Sequence, residues 1–251
     1  MNAMNDDYKN FIVMNKSNHS YSINRKITEK FNSDSWRGKR CFIIGGGPSL
    51  ENFDYHQLDN ELTIGVNKSF KNYPNATINY SMDSPFYDDM KAGKLDDSET
   101  KLWDQWNSFT GTRIFLTPME IKNNFGKEVF LVRRCWAPSI NREDLDKGIY
   151  GGCNSGLGAI MLALALGALP IYLLGYDLKV DGNKTHNHDG YPNRNVEEFN
   201  KKLSEYCQEI WNLSDLFVRS DVDIVNLNKD SQLRCFRFEN LEEVINVASY
   251  K

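Results

Sequence analysis

Three stretches of this chain hold residue types that can do chemistry together. In the first, the apolar run Cys41-Phe-Ile-Ile44 stops at Gly45-Gly46-Gly47, followed by Pro48 and Ser49. A strand ending on glycines can turn tightly and offer bare backbone N–H groups to an anion, and Pro48 suits the first turn of a helix, so the outline is that of a phosphate cradle. In the second, Gly152-Cys-Asn-Ser-Gly156 opens an Ala/Leu-rich run, where Asn154 or Ser155 can cap a helix whose N-terminus points positive. The next strand, Ile171 to Gly175, leads into Tyr176 and the acid Asp177. The third is a polar loop over residues 178–195 carrying His186-Asn-His188-Asp189. A neutral imidazole is basic enough near neutral pH to take a proton from a hydroxyl, so one of these histidines is a candidate general base over a bound donor. A His-x-His pair beside an acid is also a metal pattern, and two solvated histidines on a surface loop are the plainer account.

The glycine turn differs from two common nucleotide fingerprints. A dinucleotide site needs a third glycine where Leu50 stands, and an acid at the end of the second strand, where Leu62-Thr-Ile-Gly-Val66 runs into the neutral Asn67. No Gly-Lys-Ser/Thr comes after the glycines, so the turn is not a Walker loop. An ordinary tight strand-to-helix connection is the alternative reading.

These residues need elements to position them. Short β-rich runs at Cys41–Gly45, Leu62–Val66, Thr77–Met82, Arg113–Thr117, Val129–Arg133, Pro170–Gly175 and Val222–Leu227 alternate with helical pattern, best at Asn154–Gly167 and Val196–Phe217. The alternation predicts an α/β, Rossmann-like fold: a mostly parallel sheet with helices on both faces and a lid loop at 178–195. Ligands of such sheets bind outside the strand carboxyl ends, where Gly46, Gly47, Asn67, Asp83, Thr117, Arg133, Arg134, Asp177 and Asn226 fall. Residues 1–37 read as a polar extension and 38–251 as one Rossmann-like nucleotide-binding domain, with oligomer contacts a use open to the extension.

At 251 residues, 40% hydrophobic and 25% charged, the chain has the composition of a soluble globular protein, and a net charge of −4 gives no reason for strong nonspecific nucleic-acid binding. Five cysteines, an odd count without Cys-x-x-Cys, fit a reducing cytoplasm. The uncharged run Leu157 to Leu174 is broken by Gly167-Ala-Leu-Pro170, which makes it a buried helix feeding a strand rather than a membrane span. Asp221-Val-Asp223 has the form of a metal motif but sits at the entrance of the last predicted strand, opposite the ligand side, which suits solvated strand entry. Phe86-Tyr87 and Trp103-Asp-Gln-Trp106 could stack a base or sugar, although aromatics more often fill a core.

Taken together, Gly46-Gly-Pro-Ser-Leu50 with Phe53, Tyr55 and Leu58, then Val66-Asn67 with Phe70, then Asn154-Ser-Gly156 and Gly175-Tyr-Asp177, resemble the bacterial sialyltransferases of glycosyltransferase family 42. They are equally similar to the 6-hydroxymethylpterin diphosphokinase-like family, whose ending the tail Asn226-Leu-Asn with Ser231, Leu233 and Phe236 also resembles, and to bacteriophage-encoded chains of unassigned role. The resemblance implies a glycosyltransferase moving a sugar from a nucleotide-activated donor to an acceptor hydroxyl, on a glycan or a modified nucleic-acid base. The alternatives it leaves are a Mg-dependent phosphoryl transferase and a non-catalytic nucleotide-binding module. Carried over by position, it implies that Gly46, Gly47, Ser49, Asn67, Ser155 and Gly156 contact the nucleotide. Asp83 and Asp177 would lie near its phosphates, holding Mg²⁺ only if the donor is a triphosphate; otherwise no cofactor is expected. His188 is the expected base, His186 its alternate, and Asp189 a residue to orient either ring.

Overall fold

The computed structural model describes residues 12–14, 21–23, 25–96, 101–117, 125–126, 128–140, 144–188 and 195–248. A short antiparallel hairpin, β1 (Ile12–Met14) with β2 (Tyr21–Ile23), precedes β3 (Arg25–Lys26) and β4 (Cys41–Ile44). Then come β5 (Leu62–Val66), α1 (Ser69–Asn72), β6 (Ile78–Ser81), α2 (Ser84–Lys91), α3 (Leu102–Ser108), β7 (Thr112–Thr117) and β8 (Val129–Cys135). The second half holds β9 (Ile149–Tyr150), α4 (Ser155–Ala165), β10 (Ile171–Leu174), α5 (Val196–Asn212), α6 (Ser214–Arg219), β11 (Ile224–Asn226), β12 (Arg237–Phe238) and α7 (Leu241–Ala248).

Apart from the hairpin, these strands form one sheet in the order β12-β11-β10-β4-β5-β6-β7-β8-β3, with β9 beside β8. Every pairing in it is parallel. The central strands are apolar throughout because both their faces are covered. In β4, Cys41 and Ile43 face the cluster that α4, α5 and α6 complete, while Phe42 and Ile44 face the one built with α1, α2, α3 and α7. Strand β10 alternates the same way, Ile171 and Leu173 against Tyr172 and Leu174. The expected α/β architecture, with helices on both sides of a parallel sheet, is the one observed.

From β4 the chain steps outward through β5, β6, β7 and β8, and α4 then carries it back to β10 on the opposite side of β4. Strand order therefore reverses between β4 and β10, which opens a crevice at their carboxyl ends. Helix α4 is buried nearly all round, as its Leu/Ala composition requires, and it lies close to the sheet because residue 158 is glycine. A Cβ at Gly158 would overlap the Tyr80 hydroxyl and come within 2.9 Å of its Cζ.

Two boundaries differ from the sequence expectation. The packed body reaches further toward the N-terminus than Gly38: β3 pairs with β8, and Ile27 and Trp36 are buried in the main core. A two-residue strand leaves too little periodicity to be read. The helix expected over 196–217 divides at Leu213, whose N–H bonds back to Ile210 and tightens the turn.

If Gly158 sets the helix-to-sheet distance, Gly158→Leu lowers stability by about 1–3 kcal/mol through overpacking, although helix propensity alone favours leucine by about 1 kcal/mol. Urea unfolding reads the difference, and an unchanged or higher midpoint contradicts the packing account.

Candidate active site at the sheet switch point

A cavity of about 450 Å³ opens where β4, β5, β6 and β10 end, at the reversal of strand order. This is the size of a small-ligand pocket. Eight of the residues singled out in the sequence line it together: Gly46, Gly47, Asn67, Asp83, Ser155, Gly156, His186 and His188. Ser49 and Asp177 do not. Ser49 borders a second, smaller cavity of about 360 Å³ with Leu50, Phe53 and Asn228, and Asp177 is only 3% exposed.

The glycine turn works differently from the expected cradle. Two of its N–H groups are already engaged across the switch point, Gly45 donating to Leu174 O at 2.8 Å and Gly47 to Gly175 O at 2.9 Å. The chain then makes a single 3-10 turn, Pro48–Leu50, too short to supply a helix dipole. Glycine is required at 47 because a Cβ there would overlap the Asp177 carboxylate and lie 2.6 Å from Gly175 O. Behind the turn, Asp177 accepts from Ser49 N at 3.1 Å, from the Ser49 hydroxyl and from Asn228 Nδ2. Burial pushes its carboxyl pKa up, and the hydrogen bonds from Ser49 and Asn228 oppose that rise. Asp177 is thus a tie between β4, β10 and the segment after β11, not a cavity residue. Asp83 lines the cavity whereas Asp177 lies behind the turn, and no group of three or more His, Cys, Asp or Glu suited to a metal occurs among the described residues.

On the β5 side, Asn67 takes a left-handed backbone conformation, φ +52°, which asparagine tolerates better than most residues. Its N–H donates to Tyr80 O at 2.9 Å, its carbonyl accepts from Asn79 Nδ2 at 3.0 Å, and its Oδ1 accepts from Ser81 Oγ at 2.8 Å. Asn67 itself lines the cavity. Beside it, Lys68 is 6% exposed and donates to Leu95 O at 3.3 Å. No sequence signal points to this cavity cation, since Asn67-Lys-Ser69 carries no motif.

The opposite wall is the start of α4. Asn154 caps it, Oδ1 accepting from Leu157 N at 2.8 Å, and Tyr176 Oη donates to Gly156 O at 2.9 Å. Ser155 is buried, and its hydroxyl has no partner among the described residues. Glu209 of α5 holds the approach to this helix, accepting from Cys153 N at 3.0 Å, Cys153 Sγ at 2.6 Å, Asn154 Nδ2 at 3.2 Å and Tyr150 Oη at 3.3 Å. Burial and the neighbouring Glu209 carboxylate push the Cys153 thiol up to about 11, so it stays protonated and is no nucleophile. At the end of β6, burial pushes the Asp83 carboxyl up and Arg134 pulls it back.

The lid is seated on the glycine turn. Asn187 N donates to Gly46 O at 3.0 Å, Asn187 Nδ2 to Tyr55 Oη at 3.0 Å, and Lys184 pairs with Glu51. His186 stacks on His188, ring centroids 4.9 Å apart, and on Phe199 of α5, also 4.9 Å apart. Thr185 Oγ1 lies 2.9 Å from His186 Nδ1. Asp189 and the rest of the lid through residue 194 lie outside the described residues. Phe199, Leu203 and Tyr206 complete this wall, a helical-spacing stripe of α5 that the sequence offers as packing.

Other sequence candidates have structural partners elsewhere. Asp223 pairs with Arg237 at the amino end of β11, away from the cavity. Trp106 and Tyr87 are core, and only Phe86 reaches the cavity edge. Among the described residues no helix is long and apolar enough to cross a membrane.

The sheet order and the switch-point cavity define a Rossmann-like α/β protein. Among solved structures, this chain is similar to the MAf glycosyltransferase from Magnetospirillum magneticum AMB-1, with a TM-score of 0.50 at 12% identity, over 88% of this chain and 37% of that one. It therefore spans little more than a third of that protein's length, and at this identity the likeness speaks to the fold alone. Neither a protein-family model nor a curated protein matches the sequence.

The Asp177 tie has a pH signature. Because burial raises its folded-state pKa above the ordinary 3.8, the folded protein keeps this proton to higher pH than the unfolded chain does. The group's contribution to stability is therefore greatest below pH 3.8 and declines as pH rises through the folded value. Asp177→Asn turns an N–H toward Ser49 or Asn228 and costs about 1–3 kcal/mol at pH 7. The gap to wild type widens as pH falls through the folded pKa; a pH-independent gap in urea titrations contradicts this account.

Proposed function

We propose that the protein is a glycosyltransferase that binds a nucleotide-activated sugar in the switch-point cavity and transfers the sugar to an acceptor hydroxyl. The observation that carries this reading is one cavity in which a helix N-terminus, with a buried Ser155 hydroxyl that has no partner among the described residues, meets Asn67, Lys68 and a seated lid bearing two histidines. Anions are favoured at such a helix start, so the N–H groups of Ser155 and Gly156 are the anchor for the donor's phosphate, with Lys68 as a second positive neighbour. Asn67 hydrogen-bonds the nucleotide from the other wall. The fold likeness to a glycosyltransferase of known structure agrees with this reading.

In the transfer, the acceptor oxygen attacks the anomeric carbon as the bond from that carbon to the phosphate oxygen breaks. The leaving nucleotide carries the electron pair away, and the phosphate anchor stabilises the growing charge. His188 takes the acceptor's proton, with His186 as the alternate base, and the lid keeps water from the activated carbon. A base so positioned contributes about 10²–10⁴-fold. Neither Asp177 nor Ser49 has a part in this scheme, and the scheme calls for no metal.

A thermal-shift panel of nucleoside mono-, di- and triphosphates, with and without Mg²⁺, tests the class of ligand, since a ligand of the folded state raises Tm. The expected result is metal-independent stabilisation by a mono- or diphosphate. Stabilisation by ATP only with Mg²⁺ marks a phosphoryl transferase instead, and no response marks a module without a nucleotide. Gly46→Val is the blocking variant: a Cβ at Gly46 meets only the edge of His186, at 3.2 Å, so the side chain intrudes at the cavity rather than into the fold. A folded Gly46→Val protein with unchanged nucleotide response contradicts the site.

With the donor identified, His188→Ala is expected to lose about 10²–10⁴-fold in turnover while keeping its nucleotide thermal shift. Near-normal turnover in both His188→Ala and His186→Ala removes the histidine base and shifts attention to the cavity acids Asp83 and Asp89.

A further inference from the structure

The two lid histidines are not arranged as a metal pair. Their rings stack, with centroids 4.9 Å apart and planes 20° from parallel. An imidazole binds a metal through a nitrogen in its own ring plane, at about 2.0–2.1 Å, so rings stacked in this way do not aim at one ion. His186 also stacks on Phe199 of α5, again with 4.9 Å between centroids and with 24° between planes. One imidazole is thus shared between a stack with α5 and a stack with the other lid histidine, and all three rings line the cavity.

His186 is held by the lid, by the glycine turn and by α5. Within the lid, Thr185 Oγ1 lies 2.9 Å from its Nδ1. At the glycine turn, a Cβ on Gly46 would stand 3.2 Å from its Cδ2, and the next residue, Asn187, donates its N–H to Gly46 O at 3.0 Å. On the α5 side, Phe199 is buried, and its neighbour Asn200 accepts from Val180 N of the lid through Oδ1 at 3.4 Å. Phe199 stands near the start of a 17-residue helix that Asn195 caps, Oδ1 accepting from Glu197 N at 2.9 Å and from Glu198 N at 3.1 Å. Aromatic rings favour offset, near-parallel contact, so placement passes from α5 through His186 to His188.

We propose that His186 is a positioning residue: held by Phe199 and the glycine turn, it sets by stacking where the His188 imidazole stands in the cavity. This rests on the transferase reading above and deepens it, because it gives the two histidines different tasks. The acceptor's proton goes to His188, and His186 supplies a flat ring but no nitrogen to the chemistry. Misplacing a reacting group by about 1 Å can cost on the order of 10²-fold, so a ring that only fixes another ring still counts in turnover. The two roles differ in what they require at residue 186: positioning needs an aromatic ring of similar size, whereas a base needs the imidazole itself.

His186→Phe keeps a stacking ring and removes the nitrogens, and His186→Ala removes both. With four histidines in the chain, the imidazole carbon–proton NMR spectrum is simple enough to follow His188, assigned by its loss in His188→Ala. Turnover is read as nucleotide release from UDP-glucose, UDP-N-acetylglucosamine, GDP-mannose and CMP-N-acetylneuraminate, with glycerol supplying the hydroxyl. The expected result is that the His188 ring protons, moved upfield by the stacked ring in wild type, stay there in His186→Phe and lose that shift in His186→Ala. In step with them, kcat stays within about threefold of wild type in His186→Phe and falls about 10–100-fold in His186→Ala at unchanged KM. The nucleotide thermal shift, equal in all three proteins, checks that the cavity is intact. Equal losses of kcat in the two variants overturn the proposal, since they make His186 itself a base. So do His188 signals and kcat that stay at wild-type values in His186→Ala. The imidazole pattern in a protein that gives no nucleotide thermal shift keeps the stack and removes the transferase reading instead.

Discussion

The arrangement depends on a buried carboxylate. Asp177 joins Ser49, after the glycine turn, to Asn228, after β11, at the place where the sheet changes direction. A carboxyl group so enclosed is tolerated only while its hydrogen-bond partners stay in place, and taking one away leaves a buried polar group unpaired. Ser231 Oγ donating to Tyr176 O and Gln232 N donating to Asp177 O, at 2.9 Å for the latter, wrap the same segment around it. The turn is therefore rigid from behind, and its exposed side, at Gly46, becomes the seat on which the lid rests.

A second carboxylate does for α4 what Asp177 does for the turn. Glu209 gathers four donors from residues 150–154 and so links α5, which carries Phe199 and Tyr206, to the helix start that carries Ser155. The two walls of the cavity are in this way tied through one side chain. In a pocket lined by Asp83 and Asp89 as well as Lys68 and Lys179, recognition comes from placement of dipoles and charges rather than from one strong positive field.

Much of this is legible in the sequence, and the reasons for the rest are physical. Strands β4 and β10 and helix α4 declare themselves because residues buried on both faces must be apolar without interruption. The switch point emerges from their order, and Asn67, Asp83, Ser155 and the lid histidines meet there as the strand-end rule requires. That rule names the end of a strand but not which side of a turn a side chain takes. It therefore counts Asp177 as a ligand contact, as the family resemblance does Ser49, and the cradle reading has Gly47 making room for a phosphate when the glycine makes room for Asp177. Lys68 and Glu209 carry no local pattern, since their roles arise from neighbours far along the chain. The two residues of β3 are too few to show a period.

The central claim is that the start of α4 anchors the phosphate of a nucleotide across from Asn67. Backbone amide NMR during titration with a nucleoside mono- or diphosphate reads this residue by residue. The account predicts the largest shifts at the amides of Ser155 and Gly156, with Asn67 moving in step and little change around Ser49, Phe53 and Leu241. Shifts concentrated at those last residues, which border the second cavity, with Ser155 and Gly156 unmoved, would contradict it.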